Sequence, residues 1–171
     1  MPRIHTCSLS KLEETALATG AQSLVTLINV NTPVETPKTI ARERHLFVGL
    51  SDITQALEGH VLPEHAHVAQ LLDFVQAWDR QAPLLIHCYA GVSRSTAAAY
   101  IAYCALHPHA CEREVAQLLR KLSPTATPNA RLIELADVHL QRNGRMIAAI
   151  QEIGRGDDCF EGVPFAFEVA A

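Results

Sequence analysis

The stretch PLLIHCYAGVSRSTAAAY, Pro83 to Tyr100, constrains this chain more than any other. It begins as a short, continuously apolar run, the pattern of a strand buried on both faces within a parallel sheet. It ends in an Ala-rich run that reads as a helix. Cys88 closes the strand and Arg94 opens the helix, with Tyr89, Ala90, Gly91, Val92 and Ser93 between them. A buried strand running through a short loop into a helix points to an α/β fold.

The remaining pattern agrees. RIHTCS, QSLVTLIN and RHLFVGL read as strands, with Pro33 and Pro37 breaking the turn-rich segment between the last two. SLSKLEETALATG reads as a helix, with Ser10 and Glu13 spaced as a capping box and Gly20 as its stop. PEHAHVAQLLDFVQAWDR is a second helix, with Pro63 in its first turn and Val68, Leu71, Leu72, Val75 and Trp78 at helical spacing. From Ser95 onward the chain turns helical, in STAAAYIAYCALH, CEREVAQLLRKL, NARLIELADVHLQR and RMIAAIQEI. The expectation is one domain over residues 1–171: a small, mainly parallel sheet flanked by helices. Residues 155–171 should be a non-helical tail docked by its three phenylalanines.

At 171 residues a single domain buries about 70% of its unfolded surface without staples. A net charge of −4 without a long Lys/Arg run argues against a nucleic-acid partner. MPRIHTCSLS lacks the apolar core of a signal peptide, and the Ala97–Leu106 run is too short to cross a bilayer. A cytoplasmic monomer with no membrane partner is expected. The five cysteines, Cys7, Cys88, Cys104, Cys111 and Cys159, contain no CxxC pair and read as free thiols. His65 and His67 are two apart, on different sides of a helix, so no metal site and no cofactor is expected.

Cys88 has the setting of a nucleophile. A loop between a buried strand and a helix N-terminus leaves backbone N–H groups without intrahelical partners. Curled round a centre they form an anion nest, reinforced by the helix dipole. Gly91 permits a positive φ there, and Arg94 can close the ring with a planar, bidentate grip on a phosphoryl group. The same positive surroundings favour the thiolate of a cysteine at the floor of the loop.

HCYAGVSRS resembles the HCxxGxxR[ST] signature of the cysteine-dependent protein tyrosine phosphatases. The short chain resembles the compact dual-specificity branch as it occurs in bacteria, from about RHLFVGL through NARLIELADVHL. The resemblance implies Cys88 as nucleophile, Arg94 as phosphate clamp and the backbone of residues 89–93 as the cradle. Ser95 would stabilise the departing thiolate, or cap the helix. His87 would order the loop. Asp52, in GLSDIT, matches the acid loop that protonates the leaving oxygen, although a turn or N-cap Asp is the bland alternative. Asp73 and Asp79 fit worse within a helical pattern; Asp157 and Asp158 keep a downstream acid open. Asn129 resembles the Asn that supports the phosphate loop in some dual-specificity members, with a plain N-cap as the alternative.

The substrate implied is a phosphotyrosine protein, or another phosphomonoester, hydrolysed through a phosphocysteine. Tyr89, Ala90, Val92 and Ser93 bring no positive charge to the loop, unlike family members that act on phosphoinositides. A rhodanese-type sulfurtransferase and a phosphate-binding interaction module are the rival readings.

Overall fold

Four parallel strands and one antiparallel edge strand, in the order β3-β2-β4-β1-β5, form the central sheet of the computed structural model, which describes residues 1–170. The strands are β1 (Arg3–Cys7), β2 (Ser23–Ile28), β3 (His45–Gly49), β4 (Leu84–His87) and β5 (Phe165–Glu168). The helices are α1 (Leu12–Thr19), α2 (His65–Ala77), α3 (Arg94–Leu106), α4 (Glu112–Leu122), α5 (Ala130–His139) and α6 (Arg145–Ile153). Every residue of β2 and β4 is buried, which is why large apolar residues fall on both faces of each strand rather than alternating with charged ones, with Ser23, Thr26 and His87 as their buried polar members.

Successive side chains of each strand point to opposite faces and so build two cores. Ile4, Val25, Leu27, Val48, Leu84 and Ile86 join the larger one, shared with α2 to α6. Leu24 and Leu85 join a smaller one with Leu12 and Ala16 of α1 and Ile40. α3 lies within the larger core, and the run Ala97–Ala99 on it is wholly buried. Its small side chains let α2, α4, α5 and the sheet all approach the one helix that begins at Arg94. The α5–α6 turn is held by Asp137, whose carboxylate accepts from the Gly144 and Met146 N–H groups at 2.8 and 3.0 Å.

Three local expectations change. Ser10 does not cap α1: the chain enters through a 3-10 turn over Leu9–Lys11, and the Ser10 hydroxyl, with that of Ser8, donates to the Glu161 carboxylate. α2 starts at His65, so Pro63 lies just outside it. Its capping box is Glu64 with His67, and the Glu64 N–H donates to His67 Nδ1 at 2.9 Å. In the tail, Phe167 is fully buried and Phe165 packs beside it, but Phe160 projects into solvent. Burying the Phe167 ring contributes about 2–3 kcal/mol, enough to hold β5 against β1.

Candidate active site

Because β1 to β4 run parallel, their C-terminal ends lie along one edge of the sheet, where open α/β sheets place their sites. That edge brings together Ser8 after β1, Asn29 after β2, Leu50 to Asp52 after β3 and Cys88 after β4. Cys88 is 2% exposed and its Sγ lies 3.2 Å from Ser95 Oγ. Ser95 sits inside the first turn of α3, whose N-cap is Ser93, so it is a neighbour of the thiol and not a cap. Burial pushes the thiols of Cys7 and Cys104 up to about 12, leaving them protonated.

The loop carbonyls are anchored away from its centre. The Leu9 N–H donates to Tyr89 O at 3.0 Å and the Gly162 N–H to Ala90 O at 2.8 Å. Val92 O accepts from the Thr127 N–H at 2.9 Å, and Ser93 O from the Asn129 N–H at 3.2 Å. Among the described residues, none of the N–H groups of residues 89–93 donates to a protein acceptor, which leaves them free for an anion. Gly91 has φ 71°, and an added Cβ would lie 2.9 Å from Ser8 N, so the loop cannot close on β1 with a larger residue there. Gly162 is confined too: its Cβ would stand 2.5 Å from Gly91 O. The tail glycines are the sequence signal for this close approach.

Arg94 is 6% exposed and aimed by one nitrogen. Its Nη1 donates to Asn29 Oδ1 at 2.7 Å and to Leu50 O at 2.9 Å. Its Nε is buried without a partner. A guanidinium gripped on one edge keeps its other edge for a planar oxyanion. Sequence reasoning did not single out Asn29; the only signal was an Asn directly after the last residue of a strand-forming run.

Asp52 stands at the rim. Its Oδ1 accepts from Ser93 Oγ at 2.7 Å and from Asn129 Nδ2 at 2.8 Å. Asn129 is the N-cap of α5, its Oδ1 accepting from the Leu132 N–H at 3.0 Å while its amide group holds Asp52. Asp157 and Asp158 line the same cleft of about 280 Å³ as Asp52 and Ser93. Asp79 is remote from it, paired with Arg44 at 2.7 Å on the surface.

Behind the loop, His87 Nδ1 lies 3.1 Å from Cys88 O and its Nε2 lies 2.7 Å from Thr26 Oγ1. The same hydroxyl lies 2.7 Å from His45 Nε2, and Thr36 Oγ1 lies 2.8 Å from His45 Nδ1. Burial holds both imidazoles down to about 4, helped at His45 by His87 and at His87 by the Arg94 charge. Both values lie below the ordinary 6.5, so the folded state refuses protons that the unfolded chain takes up. The stability these groups confer is present in full above pH 6.5 and falls as the pH drops toward 4. The expected loss is about 3 kcal/mol at the deeply buried His87 and less at His45, which is more open to solvent screening. Urea unfolding across that range should show this slope, reduced in His45→Gln; an equal slope in both chains would assign the loss elsewhere.

Residues 57–124 match the family model for protein-tyrosine phosphatase, a span that includes Cys88 through Ser95. The fold matches a mouse putative dual specificity phosphatase, solved with zinc tungstate, at TM-score 0.62 and 19% identity over 88% of this chain and 86% of that one. It matches human DUSP28 at TM-score 0.59 and 21% identity, over 80% and 86%. PTPMT1 in complex with PI(5)P matches at TM-score 0.56 and 14% identity, over 84% and 85%. A comparison with curated protein sequences finds no match. The chain has the compact fold of the dual-specificity phosphatases, and its residues 57–124 are similar to the protein-tyrosine phosphatase family.

Proposed function

We propose that this protein hydrolyses phosphotyrosine, and phosphoserine or phosphothreonine where the pocket admits them, through a phosphocysteine intermediate. The observation that carries the reading is the buried Cys88 thiol beside Ser95, on a loop of free N–H groups closed by the unpartnered Arg94 Nε. The Cys88 thiolate attacks phosphorus, and the S–P bond forms as the bond to the leaving oxygen breaks. Asp52 gives that oxygen its proton from Oδ2, the carboxyl oxygen not engaged by Ser93 and Asn129. Water then attacks phosphorus, returning its proton to Asp52, and the thiolate departs accepting a hydrogen bond from Ser95 Oγ. Arg94 and the loop N–H groups hold the equatorial oxygens throughout.

PTPMT1 was solved with a phosphoinositide. The loop here has no cation before Arg94, and its rim sets Asp52, Asp157 and Asp158 against one cation, Arg155, already paired with Asp158 at 2.6 Å, a net negative surrounding that disfavours a polyanionic headgroup. The test is hydrolysis of a chromogenic aryl phosphate without added metal, with phosphotyrosine and phosphothreonine peptides beside it. No hydrolysis, with turnover of thiosulfate instead, would favour a sulfurtransferase.

Two further outcomes are expected. Arg94→Lys keeps the charge but loses turnover by about 10²–10³-fold, because one ammonium cannot satisfy Asn29 and Leu50 and grip the phosphoryl group as well. Near wild-type kcat in that variant would refute the planar clamp. Ser95→Ala slows breakdown of the phosphocysteine more than its formation, so rapid mixing shows a burst of alcohol and then a slow steady state. Equal slowing of both phases would leave Ser95 a packing residue.

A further inference from the structure

We propose that Thr26 and His45 are positioning residues for Cys88, acting through His87 as a hydrogen-bond relay with one fixed direction. The inference rests on the reading of Cys88 as nucleophile. The direction follows from valence alone. Cys88 O can only accept, so His87 Nδ1 carries the proton of their 3.1 Å contact. A neutral imidazole has one N–H, so His87 Nε2 accepts, and the donor 2.7 Å away is the Thr26 hydroxyl. That uses the only proton Thr26 has. His45 Nε2, also 2.7 Å from Thr26 Oγ1, must therefore donate to it. His45 Nδ1 is then an acceptor, and Thr36 Oγ1 donates to it at 2.8 Å. His45 and His87 thus hold opposite tautomers, each set by its neighbour.

The sheet makes the relay possible. Thr26 stands opposite His87 in the β2–β4 register, and His45 comes from β3 on the far side of β2. The relay crosses three strands and ends at a cleft of about 600 Å³ lined by Val34, Glu35, Thr36, Arg42, His45 and Phe47. The titratable groups around it are Cys7, opposite His87 on β1, Arg94 at the start of α3, and Glu35 and Arg42 at the outer end. Cys7 stays protonated and Arg94 opposes a second positive charge at His87, so the neutral relay persists near neutral pH. Its output is the Cys88 carbonyl, held by His87 where the phosphate loop starts. Moving the His87 proton from Nδ1 to Nε2 would turn an N–H toward the Thr26 hydroxyl and leave the Cys88 carbonyl without its donor.

The test reads ¹⁵N-histidine NMR and kinetics on the full chain. In the wild type, His87 should appear as the Nδ1–H tautomer and His45 as the Nε2–H tautomer. Thr26→Val should release the fixed His45 tautomer, and both Thr26→Val and His45→Leu should lower kcat on an aryl phosphate about tenfold, with KM little changed because the cradle survives. Thr26→Ser restores the hydroxyl, and His45→Gln restores a donor near the Nε2 position; both should recover kcat. A wild-type His45 in the Nδ1–H form, or full kcat in a folded Thr26→Val and in His45→Leu, overturns the relay. Should Thr26→Val fail to fold, the His45→Leu and His45→Gln pair decides. Absence of phosphatase activity in the wild type overturns the functional reading instead, and the tautomers still test the relay.

Discussion

Cys88→Ser is expected to lose turnover of any phosphomonoester by at least about 10⁴-fold, the scale on which removing a covalent nucleophile acts. A hydroxyl in place of the thiol is not ionised near neutral pH, and nothing beside it can serve as its base. Ser95 Oγ is its nearest polar partner, and His87 faces the carbonyl of residue 88, not its side chain. The anion site, by contrast, should survive. Arg94 is held by Asn29 and Leu50, and the loop carbonyls are anchored by Leu9, Thr127, Asn129 and Gly162, none of which depends on sulfur. Calorimetric titration should therefore find phosphate or vanadate binding retained while steady-state hydrolysis disappears. Substantial hydrolysis by Cys88→Ser would rule out the phosphocysteine. Loss of both properties together would mean that the exchange had collapsed the loop.

Asp52→Asn tests the proton donor and should cost about 10²–10⁴-fold on a phosphotyrosine peptide. The substitution isolates the proton because an amide oxygen can still accept from Ser93 Oγ and Asn129 Nδ2, keeping the loop in place. An acid matters in proportion to how poorly the oxygen leaves, so the loss should be much smaller on an aryl phosphate with an acidic phenol. The alkaline limb of the pH–rate profile, which reports the acid losing its proton, should flatten, and the ascending limb should remain. Equal losses on both substrates with an unchanged profile would make Asp52 a loop-shaping residue. Asp157 and Asp158, which line the same cleft, would then be the acids to substitute.

The elements legible in the sequence were those with a local physical cause. β4 and β2 carry large apolar residues on both faces because both faces are buried, and α6 spans the residues its pattern marks. Cys88, Gly91 and Arg94 share one short loop, so their spacing alone brings them together. The Ser10–Glu13 spacing misled because a distant carboxylate, Glu161, competes for the same hydroxyl, and no window of sequence around Ser10 contains it. Phe160 misled in the opposite sense, since an aromatic residue in a tail carries no mark of whether a core lies within reach.

The sequence by itself determined the α/β class and the strand–loop–helix that carries Cys88 and Arg94, because buried strands and helix N-termini leave their signature in consecutive residues. Only the tertiary structure decided what surrounds them. Parallel pairing of β2 with β4 sets Thr26 beside His87, and the shared sheet edge brings Asn29 and Leu50 to Arg94 and Asp52 to Ser93. The tail's approach to Gly91 closes the rim. These partners come from separate elements, and their meeting is a property of strand order and register, which the local pattern of residue types does not encode.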